Sequence, residues 1–188
     1  MIRKQNRLAG YDYSQPGAYF ITVCVKDHRC LLGTVVGLDA HIGPHNETAP
    51  VGADAHIGPH NETAPVGADA HIGPSVVLSD TGKIVEKYTR SIPGIAEYTI
   101  MPNHVHMILR ISAREVTQGP MWASAPTDTN IEKLMRSWKI LITKELGQSI
   151  WQRSYYDHII RDEQDYVTRA QYIMNNPAKW HEDKYFIP

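Results

Sequence analysis

Cysteine is nearly absent: the 188 residues contain only Cys24 and Cys30. Two thiols at that spacing make neither a disulfide framework nor a thiolate metal site, which points to a reduced, cytoplasmic protein. No apolar run approaches the ~20 residues that span a bilayer. The start, Met1-Ile-Arg-Lys-Gln-Asn-Arg7, is basic but has no apolar stretch behind it, so no secretory leader is expected. A strong net charge is lacking too, the formal sum being −1. That average hides two unlike parts. Residues 36–75 carry Asp39, Glu47, Asp54, Glu62 and Asp69 and no lysine or arginine; without them 19 basic side chains face 15 acidic ones, a net of +4. A mildly basic remainder is compatible with DNA and does not demand it.

What is present first is a repeat. Asp39-Ala-His-Ile-Gly-Pro44 recurs at Asp54 and at Asp69, a period of 15 residues. Units this short, rich in Gly and Pro and with one Ile and one Val each, cannot bury a core. Residues 37–75 are therefore expected to be a flexible, low-complexity insert. Five of the ten histidines lie there, but nothing orders them into a metal site.

Outside the insert the chain is long enough for one domain with a real core, expected to span 1–188. Ala18 to Val25 is β-branched and aromatic and reads as a first strand, with Leu31 to Val36 as its short hairpin partner. Asp80 to Arg90 reads as a helix stopped at Pro93-Gly94. Glu97 to Met101 and His104 to Ile111 form strands around a Pro102-Asn103 turn, and 112–129 is a linker. Asn130 caps a helix on which Ile131, Leu134, Met135, Trp138 and Ile142 keep helical spacing. Tyr155 to Arg161 is a last strand, and Asp162 opens a terminal helix ended by Pro177. The order β-α-β-β-α-β with a helix appended predicts an α+β, ferredoxin-like sandwich. Its antiparallel sheet would carry helices on one face, plus the C-terminal helix.

Two features carry chemistry. Met101-Pro-Asn-His-Val-His106 puts His104 and His106 on one face of a strand, half of a divalent-metal site. On the terminal helix Tyr172 and Asn176, four residues apart, share a face, whereas Tyr166 points elsewhere. A metal held by the histidines and the Asn176 carbonyl, with Tyr172 as nucleophile toward a phosphodiester, is a coherent arrangement. Two imidazoles suit Mn²⁺ more readily than Mg²⁺. Periodicity alone favours Tyr172 as a core residue, and an isolated His-x-His pair as hydrogen-bonding groups at a sheet surface. Two other readings stay open: a DNA-binding protein that no longer cuts, and a metal-dependent nuclease that uses water.

Four blocks, Arg7 to Thr22, Met101 to His106, Trp151 to Arg161 and Tyr172 to Pro177, together resemble the REP-associated tyrosine transposases. These are single-tyrosine HUH (His–hydrophobe–His) transposases akin to those of small insertion sequences. The resemblance implies that His104 and His106 bind Mg²⁺ or Mn²⁺ and that Tyr172 is the nucleophile forming a 5′-phosphotyrosine link. It further implies cleavage and rejoining of single-stranded DNA at palindromic hairpins, that is, DNA transposition and recombination in a bacterial cytoplasm. Asn176 falls where relatives often place a glutamine ligand. Arg3, Lys4, Arg7, Arg153 and Arg161 are candidate DNA contacts, and Tyr11 and Tyr13 either stack on bases or pack on the sheet. Of Asp157 and His158, adjacent on a strand, at most one reaches the metal. A site within one chain and one shared across a homodimer are both compatible with the pattern.

Overall fold

The computed structural model describes residue 11 and residues 15–37, 73–112 and 130–187. Most of the repeat, the linker from 113 to 129, Tyr13, and the basic residues Arg3, Lys4 and Arg7 lie outside the described residues.

Strand β1 (Gly17–Cys24) runs through the middle of a four-stranded sheet, because an aromatic and β-branched run favours a pleat buried on both faces. A short 3₁₀ turn and β2 (Gly33–Val36) follow, then β3 (Ser75–Leu78), helix α1 (Asp80–Arg90), β4 (Ile95–Met101) and β5 (His104–Ile111). Helix α2 (Asn130–Leu146), β6 (Tyr156–Ile160) and helix α3 (Glu163–Asn175) complete the order. The sheet is wholly antiparallel, ordered β4-β5-β1-β6. This is the ferredoxin-like arrangement that the sequence predicts.

One expectation fails. Leu31 to Val36 does not pair with β1; Gly33–Val36 pairs with Ser75–Leu78 in a separate two-stranded ribbon, Gly33 opposite Leu78 and Val36 opposite Ser75. The reason is that both edges of β1 are already taken, by β5 and β6. Ser75, read as the end of the insert, is thus the first residue of a strand.

The pleat divides the side chains. Tyr19, Ile21 and Val23 from β1, with Val105, Met107 and Leu109 from β5, join Val85 of α1 and Leu134, Trp138 and Ile142 of α2 in the main core. Phe20, Ile108 and Ile160 project from the other face and meet Ile173 of α3 in a smaller cluster. Helices α1 and α3 are each capped by a side chain at the N-terminus. Ser79 Oγ accepts from Gly82 N at 3.0 Å ahead of α1, and Asp162 Oδ1 accepts from Asp165 N at 2.8 Å ahead of α3.

Gly82 lies inside α1, where alanine would ordinarily favour the helix. Here a Cβ would fall 1.9 Å from the Leu32 carbonyl oxygen. The clash outweighs propensity: Gly82→Ala should cost about 2 kcal/mol, lowering the melting temperature by roughly 4–8 °C. An unchanged or raised melting temperature would contradict this packing.

Candidate functional site

Facing the smaller cluster, β5 presents two polar groups that a strand of this kind would not normally bury. His104 is 0% and His106 1% exposed. Register places His106 opposite Thr22 and His104 opposite Cys24 on β1, and the two imidazole centroids lie 4.4 Å apart.

Each ring is oriented through Nδ1. Asn103, buried in the turn before β5, donates from Nδ2 to the carbonyls of His28 (3.2 Å) and Tyr185 (2.7 Å). Its Oδ1 is thereby turned to His104 Nδ1 at 2.8 Å. A carbonyl oxygen only accepts, so His104 Nδ1 carries the hydrogen and Nε2 holds a bare lone pair. That Nε2 is buried and has no hydrogen-bond partner. Thr22 Oγ1 holds His106 Nδ1 at 2.8 Å, which turns Nε2 toward Tyr172 Oη, 3.4 Å away.

Helix α3 brings the third component. Tyr172 is 39% exposed, and its ring centroid stands 5.1 Å from that of His106. Its hydroxyl donates to Asp183 Oδ2 at 3.0 Å, as does Asn176 Nδ2 at the same distance. Asp183 Oδ1 accepts from the Tyr185 amide at 2.7 Å. Ligand atoms of His104, His106 and Asp183 all lie within 4.8 Å of one another, the one such group of three among the described residues. Asn176 Oδ1, buried beside them, has no partner.

These surroundings set the protonation states. Burial pulls His104 down to about 4. Burial, and then the neighbouring His104, hold His106 well below its usual range. Burial and then the Asp183 charge push Tyr172 up to about 12. Both imidazoles are therefore neutral, and Tyr172 is protonated, at neutral pH.

The donor set fits a divalent cation. Two neutral imidazoles and a carboxylate are ligands for such an ion, and two buried acceptors without partners, His104 Nε2 and Asn176 Oδ1, are costly unless something satisfies them. His104, His106, Asp183 and Asn176 are the residues that would hold it.

The other sequence candidates fall elsewhere. His158 lies on the same sheet face but pairs with Asp165 at 2.7 Å. Asp157, opposite Ile21 in the register, points to the other face. Tyr11 packs edge-on against Tyr19, centroids 6.4 Å apart. Arg153 and Arg161 are exposed, outside the histidine cluster. Asn103 and Asp183 went unread in the sequence. Asp183 lies past Pro177 with no spacing that links it to β5, and Asn103 looked like an ordinary turn residue.

The four-stranded antiparallel sheet thus carries a buried His-x-His strand, and the helix that closes over it brings a tyrosine to the histidines. No family model matches the chain. An uncharacterised protein of Haemophilus influenzae is 30% identical, over 98% of this chain and 93% of its own length. The chain belongs to one family with that protein. A second protein of the same organism, bearing the provisional name REP-associated tyrosine transposase, is 28% identical over 43% of this chain and 47% of its own. A solved structure of a REP-associated tyrosine transposase bound to a REP hairpin covers 95% of this chain and 76% of that one, with a TM-score of 0.50 and 18% identity. The resemblance to the REP-associated tyrosine transposases is thus found in the fold and, over part of the chain, in sequence.

Imidazoles buried in the neutral form bind fewer protons than they do in the unfolded chain. Metal-free protein should therefore lose stability as pH falls through 6.5 toward 4. Thermal unfolding in chelator across this window checks it, and replacing both histidines by glutamine should flatten the slope. An equal slope in that variant would contradict neutral, buried imidazoles.

Proposed function

We propose that this chain is a metal-dependent, single-tyrosine DNA endonuclease and strand transferase acting on hairpin-bearing single strands. The observation that carries the reading is the position of the Tyr172 hydroxyl, within hydrogen-bond reach of His106 Nε2 and Asp183 Oδ2 at once. A core tyrosine would need one partner; this one stands at the edge of a ligand cluster with more than a third of its surface open.

Mg²⁺ or Mn²⁺, when bound, would supply charge stabilisation for a phosphodiester. The chain's own groups account for the remainder. Tyr172 Oη attacks phosphorus, and its proton passes to Asp183 Oδ2, which already accepts its hydrogen bond. The P–O3′ bond breaks, the leaving 3′ oxygen takes up a proton from solvent, and a 5′-phosphotyrosine link forms on Tyr172. Attack of a 3′ hydroxyl, which gives its proton to solvent, rejoins the strand as the departing Tyr172 oxygen takes back the proton held on Asp183. Phe20, stacked on His106 with centroids 5.2 Å apart and edge-on to Tyr172 at 6.0 Å, fixes both rings. Asn103 and Thr22 fix the imidazole orientations.

All of these side chains come from a single chain, so the reading does not require a shared site. A hairpin partner rests on the REP hairpin in the related structure. Among the described residues, the ribbon of β2 and β3 contributes none to the cluster.

Incubation with labelled single-stranded DNA carrying a palindrome and Mn²⁺, followed by a denaturing gel, tests the proposal. The expected result is a shifted, protease-sensitive band that disappears in Tyr172→Phe. Cleavage without that band would replace the transferase by a water-using nuclease, and binding without cleavage would make the chain a hairpin-binding protein. Mn²⁺ should also raise the melting temperature of the wild-type protein, and raise it far less in Asp183→Asn.

A further inference from the structure

Arg169 lies on α3 three residues before Tyr172, so the two side chains leave neighbouring positions on one side of the helix. Both converge on Phe20. The guanidinium carbon stands 5.6 Å from the centre of that ring, and the Tyr172 ring meets it edge-on at 6.0 Å. Phe20 in turn stacks on His106 at 5.2 Å. A guanidinium, the tyrosine and an imidazole of the ligand cluster are thus gathered round one ring. Burial and the Asp183 carboxylate raise Tyr172, and the Arg169 charge pulls the other way, so that charge is felt at the hydroxyl.

The guanidinium is aimed by its partners without being used up by them. Its Nε donates to Asp165 Oδ1 at 3.2 Å. The other oxygen of Asp165 lies 2.7 Å from His158 Nε2. A carboxylate oxygen only accepts, so His158 Nε2 carries the hydrogen of that bond. Arg169 Nη2, 3.5 Å from the same nitrogen, therefore cannot donate to it. Among the described residues the one ion pair of Arg169 is through Nε, and its side chain is 34% exposed. The Nη fork is left for another acceptor.

The sheet buttresses this arrangement. His158 stands opposite Phe20 in the register of β6 with β1. The strand thus holds His158, His158 holds Asp165, and Asp165 holds Arg169. Partly exposed pairs of this kind add little stability, so what the series supplies is orientation. Lys184, the cation on the tail side of the cluster, is instead spread over the rings of Tyr185 and Tyr156, 4.7 and 5.4 Å from their centres.

We infer that Arg169 is a further catalytic residue, whose Nη fork binds a non-bridging oxygen of the phosphodiester that Tyr172 attacks. The inference rests on the DNA reading above and deepens it by assigning a fixed positive charge besides the metal. As the Tyr172 oxygen bonds to phosphorus, negative charge builds on the non-bridging oxygens. A guanidinium already held beside the nucleophile stabilises that charge without reorganising. The fork also sets phosphorus in line with the Tyr172 hydroxyl, which a compact ammonium would do less well.

The test is a cycle between Arg169 and the charge of the linkage. Tyr172→Phe protein with Mn²⁺ binds without cutting. Fluorescence anisotropy compares two palindrome-bearing single strands, one native and one with a neutral methylphosphonate at the bond that wild-type protein cuts. In the Tyr172→Phe parent the neutral linkage should weaken binding about tenfold. Adding Arg169→Gln should weaken the native strand by a similar factor and cut the further cost of the neutral linkage about threefold or more. With Tyr172 intact, Arg169→Gln should slow formation of the covalent band about a hundredfold. Mn²⁺ should still raise the melting temperature of that variant as in wild type.

An equal cost of the neutral linkage in both proteins would make Arg169 a helix-holding residue and overturn the contact, leaving the DNA reading intact. An unslowed covalent band in Arg169→Gln would overturn it too. Should the glutamine variant fail to fold, Arg169→Lys takes its place in the cycle, and the neutral linkage should again cost less than in the parent. If wild-type protein cut no strand at all, the endonuclease reading and the role of Arg169 would fall together.

Discussion

Slide β1 past β5 by one residue and the molecule loses both its core and its cluster. Their antiparallel register, Gly17 opposite Ile111 through to Cys24 opposite His104, determines what each face of the sheet carries. Odd-numbered residues of both strands go to the large apolar core under α1 and α2. Even-numbered ones go to the side where Thr22 meets His106. Burying two imidazoles is affordable only because the other face buries so much apolar surface. The opposed faces are thus one design: the main core stabilises a platform, and the platform holds polar groups in fixed orientations.

The helix that brings Tyr172 to this platform is less firmly held. Ile173 is its buried apolar residue, meeting Phe20, Ile108 and Ile160, with Tyr166 and Ala170 packed at the side. The remainder of its anchorage is polar: the Asp162 cap, the His158–Asp165–Arg169 contacts and the hydrogen bonds to Asp183. Partly exposed ion pairs of that kind contribute little each. Stability is therefore graded, with rigid histidines on the central strand and the tyrosine on an element that opens at lower cost.

Much of this was legible in the sequence because it follows from period and neighbourhood. Strands β1 and β5, helix α1 with its stop, the apolar stripe of α2 and the shared face of Tyr172 and Asn176 all follow from local pattern. Tertiary closure was not legible. Asp183 reaches Tyr172 only because the chain turns back after Pro177, and Asn103 orients His104 only because Tyr185 and His28 supply carbonyls from distant segments. Strand β3 was missed for a different reason. Four residues, Ser-Val-Val-Leu, directly after a Gly- and Pro-rich repeat give too short a signal, and their partner is β2 rather than the main sheet.

The ribbon has a meaning for the gene as well as for the protein. With Val36 opposite Ser75, the chain leaves and re-enters at one place. Each doubling of the intervening length costs only about 0.6 kcal/mol of closure entropy. Units of 15 residues, a multiple of three nucleotides when encoded, can accumulate or vanish there with the reading frame and the domain both preserved. Selection on stability hardly sees the number of copies. The repeat count is then free to record replication slippage, and the same position would take a grafted epitope or fluorescent reporter.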